Sequence, residues 1–540
     1  MRTVIVGAVA LGATCGARLK RLDPKHEVIL LDKGRNASFA HCGLPYYIGN
    51  EVEHSENLLI AKKSVFLNRF NIDLRLNSEV VKIDPANKTV TVFDHIKDEK
   101  YKLEYDNLVL AMGATAVKPK FPGIVDKDIF YFKTIEDAIE LKDKVANFKR
   151  VAVVGGGFIG IEAMESLVAN NIQVELIEEL PHVTNVDYDM ACIAHKIIKD
   201  HGVNLHVNTK VLQVKRTTEG LVIKTTNGDI TVDGIVMAVG VKPCTKIAVE
   251  AGIELEEDGT IKVDDHLRTN YPNIYAGGDL VSNYDSICNH LVYAPFATFA
   301  TKHARIIANN IKGYNYKRPK ITLASVLKLF DYTIASVGLN EEYCKKYNIE
   351  SQCLYQCANS HAKYYPNLDT IYAKIRFDNS GRILGAIMIG KENVEKRIDE
   401  LSALLQKKCT YQDLMDVESS YAPPYNTPKD ILNYFGYMID NELNYNIHSI
   451  TPLEAKQLPK DSFILDVRSN NSYNKGHLEN SINIPIDLLR SKMKDLPLGK
   501  PIYVYCNTGI KAYNASCILK RYGYNVINIS GGYRLFDLIN

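Results

Sequence analysis

The sequence predicts an α/β protein built from several domains, two of them nucleotide-binding units. Three observations lead there. The chain has 540 residues, which at about 150 per domain gives roughly three to four domains. Its composition, 46% hydrophobic and 24% charged with 33 Gly and 19 Pro, is that of ordinary globular proteins and excludes collagen-like, disordered and coiled-coil classes. Residues 3–12 (TVIVGAVALG) and 151–160 (VAVVGGGFIG) echo each other, each an apolar β-branched run that turns at glycine.

Charge and cysteine usage narrow the function classes. Lys+Arg number 65 and Asp+Glu 63, a net charge of +2, so nothing global asks for nucleic acid or an anionic membrane, and any basic site must be local. The 11 cysteines, at 15, 42, 192, 244, 288, 344, 353, 357, 409, 506 and 517, are odd in number and contain no CxxC pair. This fits neither a disulfide scaffold nor a zinc site. Free thiols in a reducing cytoplasm are expected, with one or two chemically special, and no metal. No apolar run approaches the roughly 20 residues that span a bilayer.

The N-terminus, MRTVIVGAVALGATC, has the look of a lipoprotein signal, a short apolar run ending in small residues and Cys15. With a single basic residue in front, it reads better as the strand and glycine turn that open a nucleotide-binding fold. In the later echo Gly155, Gly157 and Gly160 complete G-x-G-x-x-G, a helix follows from Ile161, and Glu178 ends the next strand, 174–177. The first glycine makes the tight turn, the second lets backbone approach a pyrophosphate and the third allows close helix packing, while the acid grips a ribose hydroxyl. The first unit is a variant: Gly7 and Gly12 hold the outer positions, Val9 stands in the middle, and Asp32, followed by Lys33, ends the strand 28–31. Alone it also suits an unliganded βαβ unit. Three further segments support it: LVLAMGA at 108–114, containing Gly113; IVMAVG at 235–240, ending at Gly240; and YPNIYAGGD, ending at Asp279.

This order of parts resembles the flavin- and pyridine-nucleotide-dependent disulfide oxidoreductases over residues 1 to about 440. The resemblance implies FAD in the first unit, with Asp32 on its ribose and Asp279 closing the site by the ribityl-phosphate region. It implies NADH or NADPH in the second unit; Glu178 disfavours a 2′-phosphate, which points to NADH. The domains implied are an FAD-binding domain in two parts, 1–112 and 244–319, an NAD-binding domain, 113–243, a dimerisation domain, 320–440, a linker, 441–460, and a final module, 461–540.

Members that reduce disulfides generally carry a dithiol, whose second thiol resolves the mixed disulfide made by the first. Here SFAHCGLPYYIG, 38–49, holds Cys42 with no second cysteine in local reach. A lone thiol needs an external sulfur partner or an oxygen held as sulfenic acid; the bland alternative is a buried structural cysteine. The pattern S-F-x-x-C-G-L-P-Y, beginning at Ser38, resembles the coenzyme A disulfide reductases and their NADH oxidase and persulfide reductase relatives, which implies that Cys42 is the redox partner of FAD. Arg18 and Arg21, three apart on the helix after Gly12, then become candidates for the phosphates of coenzyme A, although surface arginines are usually only solvated. HAKYYP, 361–366, and YAPPYNTPK, 421–429, match the family's motifs whose tyrosines reach the partner's active site. That carries over to Tyr364 and Tyr421, with Lys429 a phosphate or carboxylate contact, against the alternative of aromatics packing a dimer core. One departure is His41, where the family usually has asparagine. Its imidazole either depresses the thiol's pKa or is a neutral substitute in the pantetheine channel.

The last module holds ILDVR, 464–468, YNKGHLENSINI, 473–484, and YVYCNTGIK, 503–511, an order that resembles a rhodanese domain. In that family a cysteine after a strand opens a loop whose N–H groups cradle a thiolate or persulfide. Cys506, Gly509 and Lys511 fit C-x-x-G-x-[R/K]; the alternative is an inactive rhodanese fold, and Cys517 reads as structural.

The fold class implied is therefore α/β, with two Rossmann-like nucleotide-binding domains, for FAD and NAD, an α+β dimerisation domain and a C-terminal rhodanese-like α/β domain. The function implied is cytoplasmic and homodimeric: an FAD-dependent, NADH-using (or NADPH-using) reductase of coenzyme A disulfide or coenzyme A persulfide/polysulfide through Cys42, with Cys506 handling sulfane sulfur. Its rivals are an NADH oxidase cycling through a Cys42 sulfenic acid and a non-catalytic redox sensor or sulfur carrier.

Overall fold

The protein is described by a computed structural model covering residues 1–122 and 129–539. Residues 123–128, inside the expected NAD-binding segment, and Asn540, at the end of the expected final module, lie outside the described residues. The chain divides into two compact units: Met1–Leu180, Val203–Asp285 and Asn289–Ile321 form one, and Pro181–Gly202, Ser286–Cys288 and Thr322–Asn540 the other.

The first unit holds two parallel five-stranded sheets. One runs in the order Ile274–Ala276, Asn107–Leu110, Arg2–Val6, Glu27–Leu31, Asp73–Arg75. The other runs Asn204–His206, Gln173–Ile177, Arg150–Val154, Gly234–Met237, Ile129–Phe130. Central strands covered on both faces need unbroken apolar runs, and Val4, Ile5, Val151, Ala152 and Val153 are fully buried. The echo in sequence is an echo in space. Gly7 and Gly155 have φ of +105° and +103°, and a Cβ on them would collide with the carbonyls of Ala111 and Ala238. Gly12 and Gly160 press their helices, Ala10–Leu22 and Phe158–Ala169, onto the carbonyls of Gly7 and Gly155 in the same way. A short antiparallel pair, Ala114–Ala116 with Val241–Pro243, follows Gly113 and Gly240, both with positive φ.

The second unit holds an antiparallel sheet, in the order Ala324–Leu329, Tyr332–Gly338, Ile383–Gly390, Thr370–Phe377, Gln352–Asn359, whose core is shared with the helices Val394–Leu405 and Ile431–Asn444. A parallel sheet follows, in the order Ser449–Ile450, Val526–Ile529, Ile502–Tyr505, Phe463–Asp466, Ser481–Asn483.

Two expectations change. The span 441–460 is not a linker: the helix Ile431–Asn444 crosses its start, and Ser449–Ile450 is already the edge strand of the last sheet, followed by the capped helix Pro452–Lys456. A two-residue strand leaves no periodicity to read. The segment Pro181–Gly202, expected within the NAD-binding domain, clusters with the second unit. Buried charges hold it there: Asp187 pairs with Lys374 at 2.7 Å and Arg376 at 2.8 Å, and Asp189 with Lys374 at 2.8 Å. Among the described residues no helix is long and apolar enough to cross a membrane.

Candidate active site

Each parallel sheet presents the same device at its first crossover. The Asp32 carboxylate accepts N–H bonds from Ala8 (2.7 Å) and Gly34 (2.8 Å), and the Glu178 carboxylate accepts them from Gly156 (2.6 Å) and Leu180 (2.8 Å). The helices that start beside them, at Ala10 and Phe158, have no side-chain N-cap bond and no acid in their first turn, so their N–H groups face outward with the positive end of the helix dipole. A Cβ on Gly157 would meet nothing within 4 Å. Uncapped donors and a strand-end carboxylate are the donor set that a dinucleotide pyrophosphate and ribose require, so the residues fit a dinucleotide at each crossover, with room for a backbone approach at Gly157 of the second. Lys33 is exposed beside Asp32.

Asp279 lies in the turn Gly278–Leu280, and burial raises its carboxyl above the usual range against the pull of Lys133. The turn is fixed by His303: Gly278 N–H donates to Nδ1 at 3.1 Å, and Nε2 faces Asn283 Oδ1 at 3.0 Å. Burial, then Arg318 and Lys302, lowers His303 to about 4, so at neutral pH the ring is uncharged, with Nδ1 the acceptor and Nε2 the donor.

Cys42 occupies the single turn His41–Gly43, which runs directly into the helix Leu44–Ile48 with proline in its first turn. Gly43 packs closely, since a Cβ there would stand 2.6 Å from Leu58 Cδ2, which would have to move aside. The loop is tied to the first crossover through Ser38, whose φ is +49° and whose N–H donates to Ala8 O at 2.8 Å. Cys42 is exposed, yet its thiol is pushed up, first by burial of the sulfur and then by the carboxylates of Glu162 and Asp279, with Lys133 pulling the other way. His41 is held down to about 4 by burial and by Lys133 and rests against Phe39, ring centroids 4.3 Å apart. An uncharged imidazole gives a thiolate no electrostatic help.

Glu162, in the helix Phe158–Ala169, is raised to about 7 by burial, then by Glu165, with the Tyr46 hydroxyl donating to it at 3.5 Å. It therefore titrates near neutrality while facing the thiol. Exchanging Glu162 for Gln removes a charge that opposes the thiolate, so the pH midpoint for alkylation of Cys42 is expected to move down, read by peptide mass spectrometry across pH 6–10. An unchanged midpoint contradicts this electrostatic assignment.

Arg18 and Arg21 have different partners: Arg18 Nε donates to Asn309 Oδ1 at 3.2 Å, whereas Arg21 lies exposed over the Phe70 ring, 5.1 Å from its centroid. In the second unit the two tyrosine motifs meet. Tyr364 and Tyr421, both exposed, bring their hydroxyls to 3.2 Å, and Ala362 N–H donates to Pro423 O at 3.2 Å. Lys429 lies over the Tyr437 ring, 5.9 Å away. The second loop is anchored by buried Arg397, which donates to Asp430 at 2.9 Å and Asn426 at 2.9 Å.

Cys506 follows the strand Ile502–Tyr505, and its sulfur accepts the Gly509 N–H at 3.1 Å. Gly509, φ +109°, starts the helix Ile510–Arg521 without a side-chain cap. Lys511 is exposed in a groove of about 650 Å³ that also takes in Arg490 and Cys517.

Residues 1–297 match the family described as pyridine nucleotide-disulphide oxidoreductase. The chain belongs to that family. Residues 324–429 match the family's dimerisation domain and residues 451–537 the rhodanese-like domain. Coenzyme A disulfide reductase of Staphylococcus haemolyticus is 34% identical over 442 residues, 81% of this chain and 98% of that one. The crystal structure of reduced Bacillus anthracis CoADR-RHD superposes with a TM-score of 0.97 at 36% identity, covering 100% of this chain and 98% of that one. A NAD-dependent persulfide reductase from A. fulgidus gives 0.94 at 31%, covering 99% and 100%. The chain is thus an oxidoreductase of the coenzyme A disulfide reductase type with a C-terminal rhodanese-like domain.

Within this family member, sequence reading missed Glu162, Lys133 and His303. Glu162 alone left a local signal, an acid two residues beyond the glycine motif, close to a helix N-terminus meant for phosphates.

Proposed function

We propose that the protein is an FAD-dependent, NADH-using reductase of coenzyme A disulfide or coenzyme A persulfide, acting through Cys42, with Cys506 as a carrier of sulfane sulfur. The observation that carries this reading is a lone, exposed free thiol in a turn tied to the first nucleotide crossover and facing Glu162 and Asp279. Gly7, Gly12, Asp32, Gly113 and Asp279 would hold FAD, with Lys33 beside them; Gly155, Gly157, Gly160, Glu178 and Gly240 would hold NADH. Bound FAD supplies the two-electron link between nicotinamide and sulfur.

Cys42 attacks the substrate disulfide as thiolate and holds one half as a mixed disulfide, since its turn carries no second cysteine to resolve it. Ser38 fixes the loop, and neutral His41 lines the approach without adding charge that a passing thiolate would trap. In a homodimer, Tyr364, Tyr421 and Lys429 would serve the coenzyme A moiety, as would Arg18 or Arg21.

The test is anaerobic turnover. NADH oxidation driven by coenzyme A disulfide, with a covalent adduct of coenzyme A mass on Cys42, supports the reading; NADH oxidation only with oxygen replaces it by an NADH oxidase. For the sulfur-carrier part, Cys506→Ser is expected to slow polysulfide-driven NADH oxidation while leaving turnover with coenzyme A persulfide unchanged. Equal effects on both would remove the delivery role.

A further inference from the structure

The backbone behind Cys506 is held from two sides. On the rhodanese side, Cys506 O accepts the Tyr533 N–H at 2.8 Å and Asn507 O accepts the Arg534 N–H at 3.2 Å. Gly532, φ +66°, lies so close that a Cβ would stand 2.5 Å from Cys506 O and 2.9 Å from Asn507 O. The turn from Ser530 to Arg534 is thus the back wall of the sulfur loop.

The other side of that turn is supplied by the antiparallel sheet. Tyr355 N–H donates to Ser530 Oγ at 2.9 Å, the Cys357 thiol donates to Gly531 O at 3.5 Å, and Arg534 Nη1 donates to Thr370 Oγ1 at 2.6 Å. Tyr355 and Ser530 are each 1% exposed. Tyr355 is itself immobilised: its hydroxyl donates to the Asp189 carboxylate, which Lys374 holds at 2.8 Å, and the Lys374 ammonium sits 5.1 Å from the Tyr355 ring centroid. Of these contacts the Tyr355–Ser530 bond is buried and the Arg534–Thr370 bond part-buried; polar contacts shielded from water favour one geometry, because breaking them leaves a donor or acceptor unpaired.

We propose that Tyr355 and Thr370 of the dimerisation domain, acting through Ser530 and Arg534, are positioning residues for the Cys506 sulfur site, so that the rhodanese loop reaches its working geometry only when docked on this sheet. This rests on the sulfur-carrier reading above and extends it to the residues that build the site.

The test reaction is transfer of sulfur from thiosulfate to cyanide. The Cys506 thiolate attacks the outer sulfur of thiosulfate, the S–S bond breaks and sulfite leaves with its electron pair. Cyanide then bonds to the persulfide's outer sulfur, that S–S bond breaks, thiocyanate departs and the electron pair returns to Cys506. The step needs no added oxidant or reductant. In the full-length holoenzyme, Thr370→Val and Ser530→Ala are expected to lower kcat for thiocyanate formation by about tenfold or more, as small displacements of a reacting group do. KM for thiosulfate should hold, Thr370→Ser should restore the rate, and NADH-driven coenzyme A disulfide reduction in the same samples should stay intact. The pH profile of Cys506 alkylation, read by peptide mass spectrometry, is expected to shift in Thr370→Val and not in Thr370→Ser. Wild-type kcat together with an unshifted profile overturns the proposal. If the wild type itself transfers no sulfur, the carrier reading fails, and the alkylation profile still decides whether Thr370 and Ser530 position Cys506.

Discussion

Replacing Cys42 with Ser is expected to reduce NADH-driven reduction of coenzyme A disulfide by on the order of a thousandfold or more, the scale on which removing a nucleophile acts. The reason is the lack of any local substitute. The 11 cysteines are all free, the turn His41–Gly43 holds one of them, and a hydroxyl in its place neither attacks a disulfide sulfur nor keeps a mixed disulfide. NADH binding should survive, because Gly155, Gly160 and Glu178 belong to the other crossover. The check is steady-state turnover of the serine variant beside its NADH affinity. Turnover within tenfold of wild type would move the chemistry away from position 42.

Arg397→Ala is expected to destabilise the second unit by about 3–5 kcal/mol, the scale for removing one partner of a buried ion pair. Arg397 is 1% and Asp430 2% exposed. The guanidinium donates to Asp430, to Asn426 and to Asn393 O at 2.7 Å, so truncation removes three hydrogen bonds and leaves a buried carboxylate without its countercharge. Asp430 also caps the helix Ile431–Asn444, accepting the Leu432 N–H at 3.0 Å, so the loss reaches the loop that carries Tyr421. Denaturant unfolding of Arg397→Ala, Asp430→Ala and the double variant reads the coupling. Additive single effects would show that the pair is not coupled.

The two tyrosine strings that meet and the cysteine after a strand of the last sheet were legible because each belongs to a short string whose pattern is local. The contacts of the arginine pair were not. Three-residue spacing places Arg18 and Arg21 near one another on a helix, but what each guanidinium touches depends on Asn309 and Phe70, which sequence cannot rank. His41 shows the same limit: its residue type permits a charged or a neutral role, and only burial decides.

By itself the sequence determined the two glycine crossovers, the strand-end acids, the lone thiol and the Cys506 loop, because positive φ, close backbone approach and a reactive sulfur are properties of single residues and their immediate neighbours. Tertiary structure alone decided which carboxylates face Cys42, which histidine fixes the Asp279 turn, and that Ser449–Ile450 and Pro181–Gly202 belong where they do. Those facts arise from desolvation and pairing between segments far apart in the chain, and neither is set by local sequence.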